Sequence, residues 1–233
     1  MRNDSQVPRE TKLIRIAASI LNADFSFLAD QIQLAQEAGV DWIHLDVMDG
    51  LFVPNLSMGF PILEAARRST SLPLDVHLMI ERPERFVTAF ADAGATYLTV
   101  HQESTVQLYR TIDEIRRHGM RPGVALRPAT PLAGVEEIIA EVDLLLVMTI
   151  EPGFGGQELI PATLQKVSRA RQMLTRLGSR AALEVDGGIK SHNAADATRA
   201  GADVLVVGTG IFQAPGGIGA GVAALRAALG ESS

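Results

Sequence analysis

Short apolar, β-branched runs recur along the chain, each followed by a turn signal and a longer stretch with helical periodicity. The runs are Ile14 to Ile20, Trp42 to Val47, Leu74 to Leu78, Tyr97 to Val100, Gly123 to Leu126, Leu144 to Thr149, Ala182 to Val185 and Val204 to Val207. Strand-like runs alternating with helical stretches imply a parallel sheet with helices packed on it. The helices are as legible as the strands. Phe25 to Ala38 carries the helical period, with Asp24 as candidate N-cap and Gly39 as the stop. Gly94, Gly119, Gly178 and Gly201 close the stretches that begin at Pro83, Thr105, Pro161 and His192. The units match in pattern without matching in residues, as the βα units of one barrel do.

Length then selects among parallel folds. Spread over eight units, the 233 residues leave about 29 residues each, near the ~30 of a βα repeat. A single-domain α/β fold, the TIM (β/α)8 barrel, is expected over residues 13–230, behind a polar, flexible extension over residues 1–12. The rival is an open doubly wound sheet. Its glycine-rich dinucleotide loop after the first strand is missing, because Ser19-Ile20-Leu21-Asn22-Ala23-Asp24 stands there.

Composition narrows the function classes. A net charge of −6 argues against nucleic-acid or anionic-membrane partners, which draw affinity from Lys and Arg. No apolar run approaches the roughly 20 residues of a membrane span, and the polar start lacks a signal-peptide core. The absence of cysteine excludes disulfides, thiolate metal sites and a cysteine nucleophile. A cytoplasmic protein is expected. An anionic small molecule remains compatible with the charge if backbone N–H groups or a metal hold it locally.

Polar residues interrupt the apolar strands at telling places. His44 and Asp46 lie two apart on the second strand and so share a face, as do Asp75, His77 and Met79 on the third. Asp186 ends the seventh. Alone, the second-strand pair reads as a buried neutral histidine beside a hydrogen-bonded carboxylate. In a barrel, however, the C-terminal strand ends converge on one mouth. Two imidazoles and two carboxylates meeting there suit one divalent metal ion, Zn, Fe, Mn or Co.

Glycine clusters follow three late strands: Gly153, Gly155 and Gly156 around Phe154, then Gly187 and Gly188, then Gly208 before Thr209. Each alone is explained by a tight turn. Together at one rim they are better explained as a phosphate cradle, since barrel loops after strands 7 and 8 commonly bind phosphate. Met48, Met79 and Met148 end strands 2, 3 and 6, where they fill core gaps or form a soft apolar cap over a reactive centre.

These residues resemble the ribulose-phosphate 3-epimerase family. The resemblance is carried by Ala18-Ser19-Ile20-Leu21-Asn22-Ala23-Asp24-Phe25, His44-Leu45-Asp46-Val47-Met48-Asp49-Gly50 and Phe52-Val53-Pro54-Asn55. It continues in Leu74-Asp75-Val76-His77-Leu78-Met79, Val147-Met148-Thr149, Pro152-Gly153-Phe154-Gly155-Gly156-Gln157 and Glu184-Val185-Asp186-Gly187-Gly188-Ile189. It implies a metal-dependent isomerase that inverts C3 of ribulose 5-phosphate to give xylulose 5-phosphate in the pentose phosphate pathway. It further implies metal ligation by His44, Asp46, His77 and Asp186, with Asp46 and Asp186 as the acid/base pair. Ser19, His77 and Asp186 would meet the sugar, and Gly153 to Gly156, Gly187, Gly188, Gly208 and Thr209 its phosphate. Barrels of this kind often self-associate, so a homo-oligomer is expected.

The chain departs from the family pattern in five places. Ala18 stands where proline is frequent, Leu51 where histidine is, Arg127 where asparagine is, Glu151 where asparagine or aspartate is, and Thr209-Gly210 where serine-alanine is. Four of them, Leu51, Arg127, Glu151 and Gly210, are expected near the mouth. They keep open a 3-epimerase of another ketose phosphate, such as allulose 6-phosphate. Fold alone also leaves a phosphate-binding decarboxylase or synthase and a non-catalytic sugar-phosphate binding barrel as alternatives.

Overall fold

The computed structural model describes residues 13–230; the extension expected over residues 1–12 lies outside the described residues. Eight parallel strands close into a barrel in chain order, with the last paired to the first. They are β1 (Arg15–Ser19), β2 (Trp42–Met48), β3 (Leu74–Met79), β4 (Tyr97–His101), β5 (Arg121–Leu126), β6 (Leu144–Met148), β7 (Ala182–Asp186) and β8 (Val204–Val207). Around them run α1 (Leu28–Glu37), α2 (Phe60–Ser69), α3 (Val87–Asp92), α4 (Leu108–Arg117), α5 (Ala162–Arg176), α6 (Ser191–Ala200), α7 (Thr209–Phe212) and α8 (Ile218–Ala228).

The period-2 rule divides each strand between two cores. Ile16, Ile43, Leu45 and Val76 face outward into the layer beneath the helices. Ala17, Trp42, Tyr97, Ala125, Leu146 and Val206 face inward and fill the barrel. At the N-terminal end, the Trp42 and Tyr97 rings stack at 4.5 Å, and the Arg121 guanidinium donates to the Tyr97 hydroxyl at 2.7 Å. That end is closed by aromatic packing, which leaves the polar inward positions to the C-terminal end.

Helix α1 shows how the outer layer is built. Leu28, Ile32 and Ala35 recur at helical spacing and are buried; burying a leucine- or isoleucine-sized side chain is worth roughly 1.5–3 kcal/mol. The helix stops because Gly39 takes φ 92°. Its N–H reaches Gln36 O, while Val40 N–H reaches Ala35 O, a paired C-terminal cap that needs a left-handed residue. The same cap recurs at Gly94, Gly178 and Gly201.

Three boundaries differ from the periodicity. The first strand stops at Ser19, because Ile20–Asn22 turns as a 3-10 segment closed by Ala23 N–H to Ile20 O. Asp24 does cap, but it accepts from Ser26 N–H at 2.9 Å in a second 3-10 turn, Phe25–Phe27, and the α-helix starts only at Leu28. Between β5 and β6 the wall is a 3-10 segment, Leu132–Glu141, burying Val135, Ile138 and Ile139. Apolar spacing of three and four does not separate 3.0 from 3.6 residues per turn.

Strand register places the polar residues. Asp46 pairs with His77, His44 with Asp75, Met48 with Met79, and Met148 with Asp186. All lie on β2, β3, β6 and β7, with Asp46, His77, Met48, Met79, Met148 and Asp186 toward the mouth and the His44–Asp75 pair one layer below. No helix among the described residues is long and apolar enough to cross a membrane.

Candidate active site

Each of the polar groups sits on a strand because a strand interior holds it rigidly, with its neighbours set by register. His44 and His77 are fully buried and Asp46 nearly so, while Asp186 faces the cleft with 14% of its side chain exposed. His44 Nε2 stands 3.2 Å from Asp46 Oδ1, and His77 Nδ1 stands 3.1 Å from the same oxygen and 3.7 Å from Asp186 Oδ2. The Ser19 hydroxyl donates to Asp46 Oδ2 at 2.7 Å.

The donor set fits a divalent metal. One ligand atom from each of His44, Asp46, His77 and Asp186 falls within 4.8 Å of all the others. Asp75 Oδ2 occupies the Nδ1 side of His44 at 2.6 Å. This turns the Nε2 lone pair toward the cluster, the carboxylate–histidine arrangement that accompanies metal-bound imidazole. Two imidazole nitrogens and two carboxylates are a nitrogen and oxygen set suited to Zn, Fe, Mn or Co.

Protonation follows from the same crowding. Burial alone would lower His44, but the carboxylates of Asp46 and Asp75 outweigh it and hold the imidazole well above its usual range. Burial alone would raise Asp46, yet His44 and His77 beside it hold it well below the usual carboxylate range. For Asp186, burial and then the charge of Asp46 push the carboxyl up to about 7. The two carboxyl groups therefore occupy opposite protonation regimes. A divalent ion would take the place of the proton that His44 otherwise holds.

Below this layer, Asp75 Oδ1 and both oxygens of Glu184 are buried with no donor facing them. Burial, then the Asp75 charge, pushes Glu184 well above the usual carboxylate range. Glu184 is thus the protonated member of that pair, which removes the conflict between facing acceptors.

One cleft gathers the sequence-predicted residues. Its lining includes Ser19, Asp46, Met48, Met79, Met148, Gly153, Phe154, Gly155, Gly156, Asp186, Gly187, Gly188, Gly208 and Thr209. His44 and His77 lie just beneath, in contact with Asp46. The close approach of the loops is tight: a Cβ on Gly188 would lie 2.3 Å from Leu159 N, and one on Gly208 would lie 2.1 Å from Asn22 Oδ1. Of the five departures only Thr209, the first residue of the Thr209-Gly210 pair, lines this cleft. Ala18 is buried in the layer beneath the helices, Leu51 is 74% exposed, and Gly210 borders a separate hollow beside α8. The Glu151 carbonyl accepts from Gln157. Arg127 lies 4.1 Å over the Phe52 ring and donates to Phe52 O at 2.7 Å.

Three contributors escape the motif-based reading. Asn22 lines the cleft between the glycine loops. His101 and Glu103 extend the cluster behind His77, with Nε2 of His101 2.9 Å from Nε2 of His77 and Nδ1 of His101 3.1 Å from Glu103 Oε2. His101 and Glu103 stand two apart at the end of β4, the same spacing as His44 and Asp46, so the signal was present in the chain.

The model of the ribulose-phosphate 3 epimerase family matches residues 15–212. The ribulose-phosphate 3-epimerase of Bacillus subtilis (strain 168) is 46% identical over 201 residues, covering 86% of this chain and 93% of that protein. The protein of the same name from Synechocystis is 47% identical over 207 residues, covering 88% and 90%. The chloroplastic ribulose-5-phosphate-3-epimerase of Arabidopsis thaliana is 45% identical over 217 residues, covering 92% and 77%. Among solved structures, 3-hexulose-6-phosphate synthase superposes with a TM-score of 0.68 at 18% identity over 92% of this chain and 99% of that one. That likeness concerns the fold.

Proposed function

Because the chain belongs to the ribulose-phosphate 3-epimerase family, and is therefore an isomerase, we propose that it interconverts D-ribulose 5-phosphate and D-xylulose 5-phosphate. The observation that carries this reading is the pair of carboxyl groups in one cleft with opposite protonation, Asp46 well below its usual range and Asp186 pushed up to about 7. Inversion at C3 requires one group to take a proton from one face and a second to return a proton on the other. Asp46, ionised, takes the C3 proton. Asp186, protonated near neutral pH, delivers its own to the opposite face, and the roles exchange in the reverse direction.

The remaining residues support that exchange. Ser19 O–H donates to Asp46 Oδ2 and holds the carboxylate plane. Met48, Met79 and Met148 wall the cleft with soft apolar surface that keeps water from the carbanionic carbon. Backbone N–H groups of Gly187, Gly188, Gly208 and Thr209, with the Gly153 to Gly156 loop, hold the phosphate. When bound by His44, Asp46, His77 and Asp186, a divalent ion of the Zn, Fe, Mn or Co kind supplies positive charge for the enediolate oxygens.

The position of Ala18, Leu51, Arg127, Glu151 and Gly210 outside the cleft lining, and the hydroxyl that Thr209 keeps where serine is frequent, support the pentulose phosphate over another ketose phosphate. The proposal includes the cytoplasmic location and the homo-oligomer expected from composition and fold. The test is turnover on ribulose 5-phosphate and allulose 6-phosphate, with metal analysis of the same sample. Faster turnover of ribulose 5-phosphate by metal-containing protein is expected. A preference for allulose 6-phosphate, or full activity in metal-free protein, would overturn it.

A further inference from the structure

We propose that Glu103 and His101 are positioning residues that fix the proton of His77 on Nε2, so that Nδ1 of His77 is its metal-binding atom. The inference rests on the divalent metal of the reading above and on a hydrogen-bond chain running away from the cleft. His77 Nε2 and His101 Nε2 face each other at 2.9 Å, both rings fully buried. Two imidazole nitrogens at that distance share one proton, so one donates and the other accepts. Geometry at this pair alone does not say which.

Glu103 decides it. Its Oε2 lies 3.1 Å from His101 Nδ1, and its Oε1 accepts from the Arg127 N–H at 2.9 Å and from the Thr130 hydroxyl. A carboxylate so supplied with donors only accepts, and His101 Nδ1 must carry the proton. His101 Nε2 is then a lone pair. His77 Nε2 must donate to it, so Nδ1 of His77, which donates to Asp46 Oδ1 at 3.1 Å and lies 3.7 Å from Asp186 Oδ2, is the atom whose proton a divalent ion would displace. The Phe52 ring centroid lies 4.9 Å from that of His101, and His77 meets His101 edge to edge through the two Nε2 atoms. Asp75 does the same for His44 on the neighbouring β2, through one bond rather than two.

The chain makes an unusual demand of one variant. In Glu103→Gln the amide oxygen stays with its two donors, Arg127 N–H and Thr130, and the NH2 group turns to His101 Nδ1. That nitrogen must then accept, which moves the His101 proton to Nε2. His77 Nε2 must accept in turn, so the one proton left on His77 is that on Nδ1 facing Asp46, where the metal would bind. A nearly isosteric change that removes one charge two side chains away therefore turns round the proton between His77 and His101.

The experiment is long-range 15N–1H correlation of the imidazole nitrogens, with Zn2+ as the probe and its affinity measured by chelator competition. In Zn2+-loaded wild-type protein, His101 is expected to carry its proton on Nδ1 and His77 on Nε2, a result that needs no variant. Glu103→Gln is expected to bind Zn2+ about 10- to 100-fold more weakly, and its metal-free form to show the His101 proton on Nε2 and none on His77 Nε2. A wild-type spectrum with the His101 proton on Nε2 overturns the inference. So does a Glu103→Gln protein whose melting temperature falls while its tautomers and Zn2+ affinity match the wild type, since that is a packing role alone. Wild-type protein that takes up no Zn2+ removes the metal reading as well, which separates the two failures.

Discussion

The Ser19 hydroxyl donates to Oδ2 of Asp46 at 2.7 Å, so the two carboxylate oxygens are not equivalent: Oδ1 alone faces the imidazoles of His44 and His77. A hydrogen bond to a charged group is worth roughly 1.5–3 kcal/mol. Ser19→Ala should therefore lower kcat about 10- to 100-fold, with metal content and fold retained. Steady-state kinetics beside metal analysis checks this. A raised KM with kcat intact would make Ser19 a substrate contact and nothing more.

Asp186 tests the two-carboxylate mechanism directly. Asp186→Asn keeps an oxygen in the cluster but has no proton to exchange, whereas the wild-type carboxyl is pushed up to about 7 by burial and Asp46. Epimerisation in both directions should fall about 100- to 10,000-fold, as should incorporation of solvent deuterium at C3, while thermal unfolding stays near that of the wild type. Near-normal turnover would remove the mechanism.

How much of this was legible before the structure depends on whether the relationship is local. Same-strand pairs such as His44 and Asp46 are set by the period of a strand, and the eight strands themselves by apolar runs between helical stretches. The partners that tune these residues are set by register between strands. Asp75 meets His44 because β2 and β3 pair His44 with Asp75, a separation that no spacing rule contains. His101 reaches His77 through the neighbouring β3–β4 pairing. Asn22 stands against Gly208 because β8 closes on β1. Closure of the ring thus creates contacts between the two ends of the chain, and only the fold displays them.

That closure yields a paired prediction. Gly208 has φ −101°, which alanine adopts without strain, yet its Cβ would fall 2.1 Å from Asn22 Oδ1 and 3.0 Å from Asn22 Cγ. Gly208→Ala should therefore displace the Asn22 carboxamide and raise KM for the sugar phosphate about tenfold. Truncating the obstacle should relieve it: the double variant Gly208→Ala/Asn22→Ala should have a lower KM than Gly208→Ala alone. Strict additivity of the two changes would show that no such collision exists.

The pH dependence of stability offers a test remote from the metal cluster. Burial lowers the Lys166 ammonium to about 8 from 10.5, against a smaller opposing pull from Glu103; its Nζ donates to Arg127 O at 2.6 Å, at the mouth end of β5. Between pH 8 and 10.5 the unfolded chain holds the Lys166 proton more tightly than the folded one. Stability rises with pH wherever the unfolded state binds more protons. Relative to Lys166→Met, which has no proton to lose, the wild type should gain stability as pH is raised from 8 toward 10.5, and the two profiles should run parallel below pH 8. Urea unfolding of both proteins at pH 7, 8.5 and 10 measures the gap. A wild-type stability, taken minus that of Lys166→Met, that stays constant or falls between pH 8.5 and 10 would show that burial does not lower Lys166.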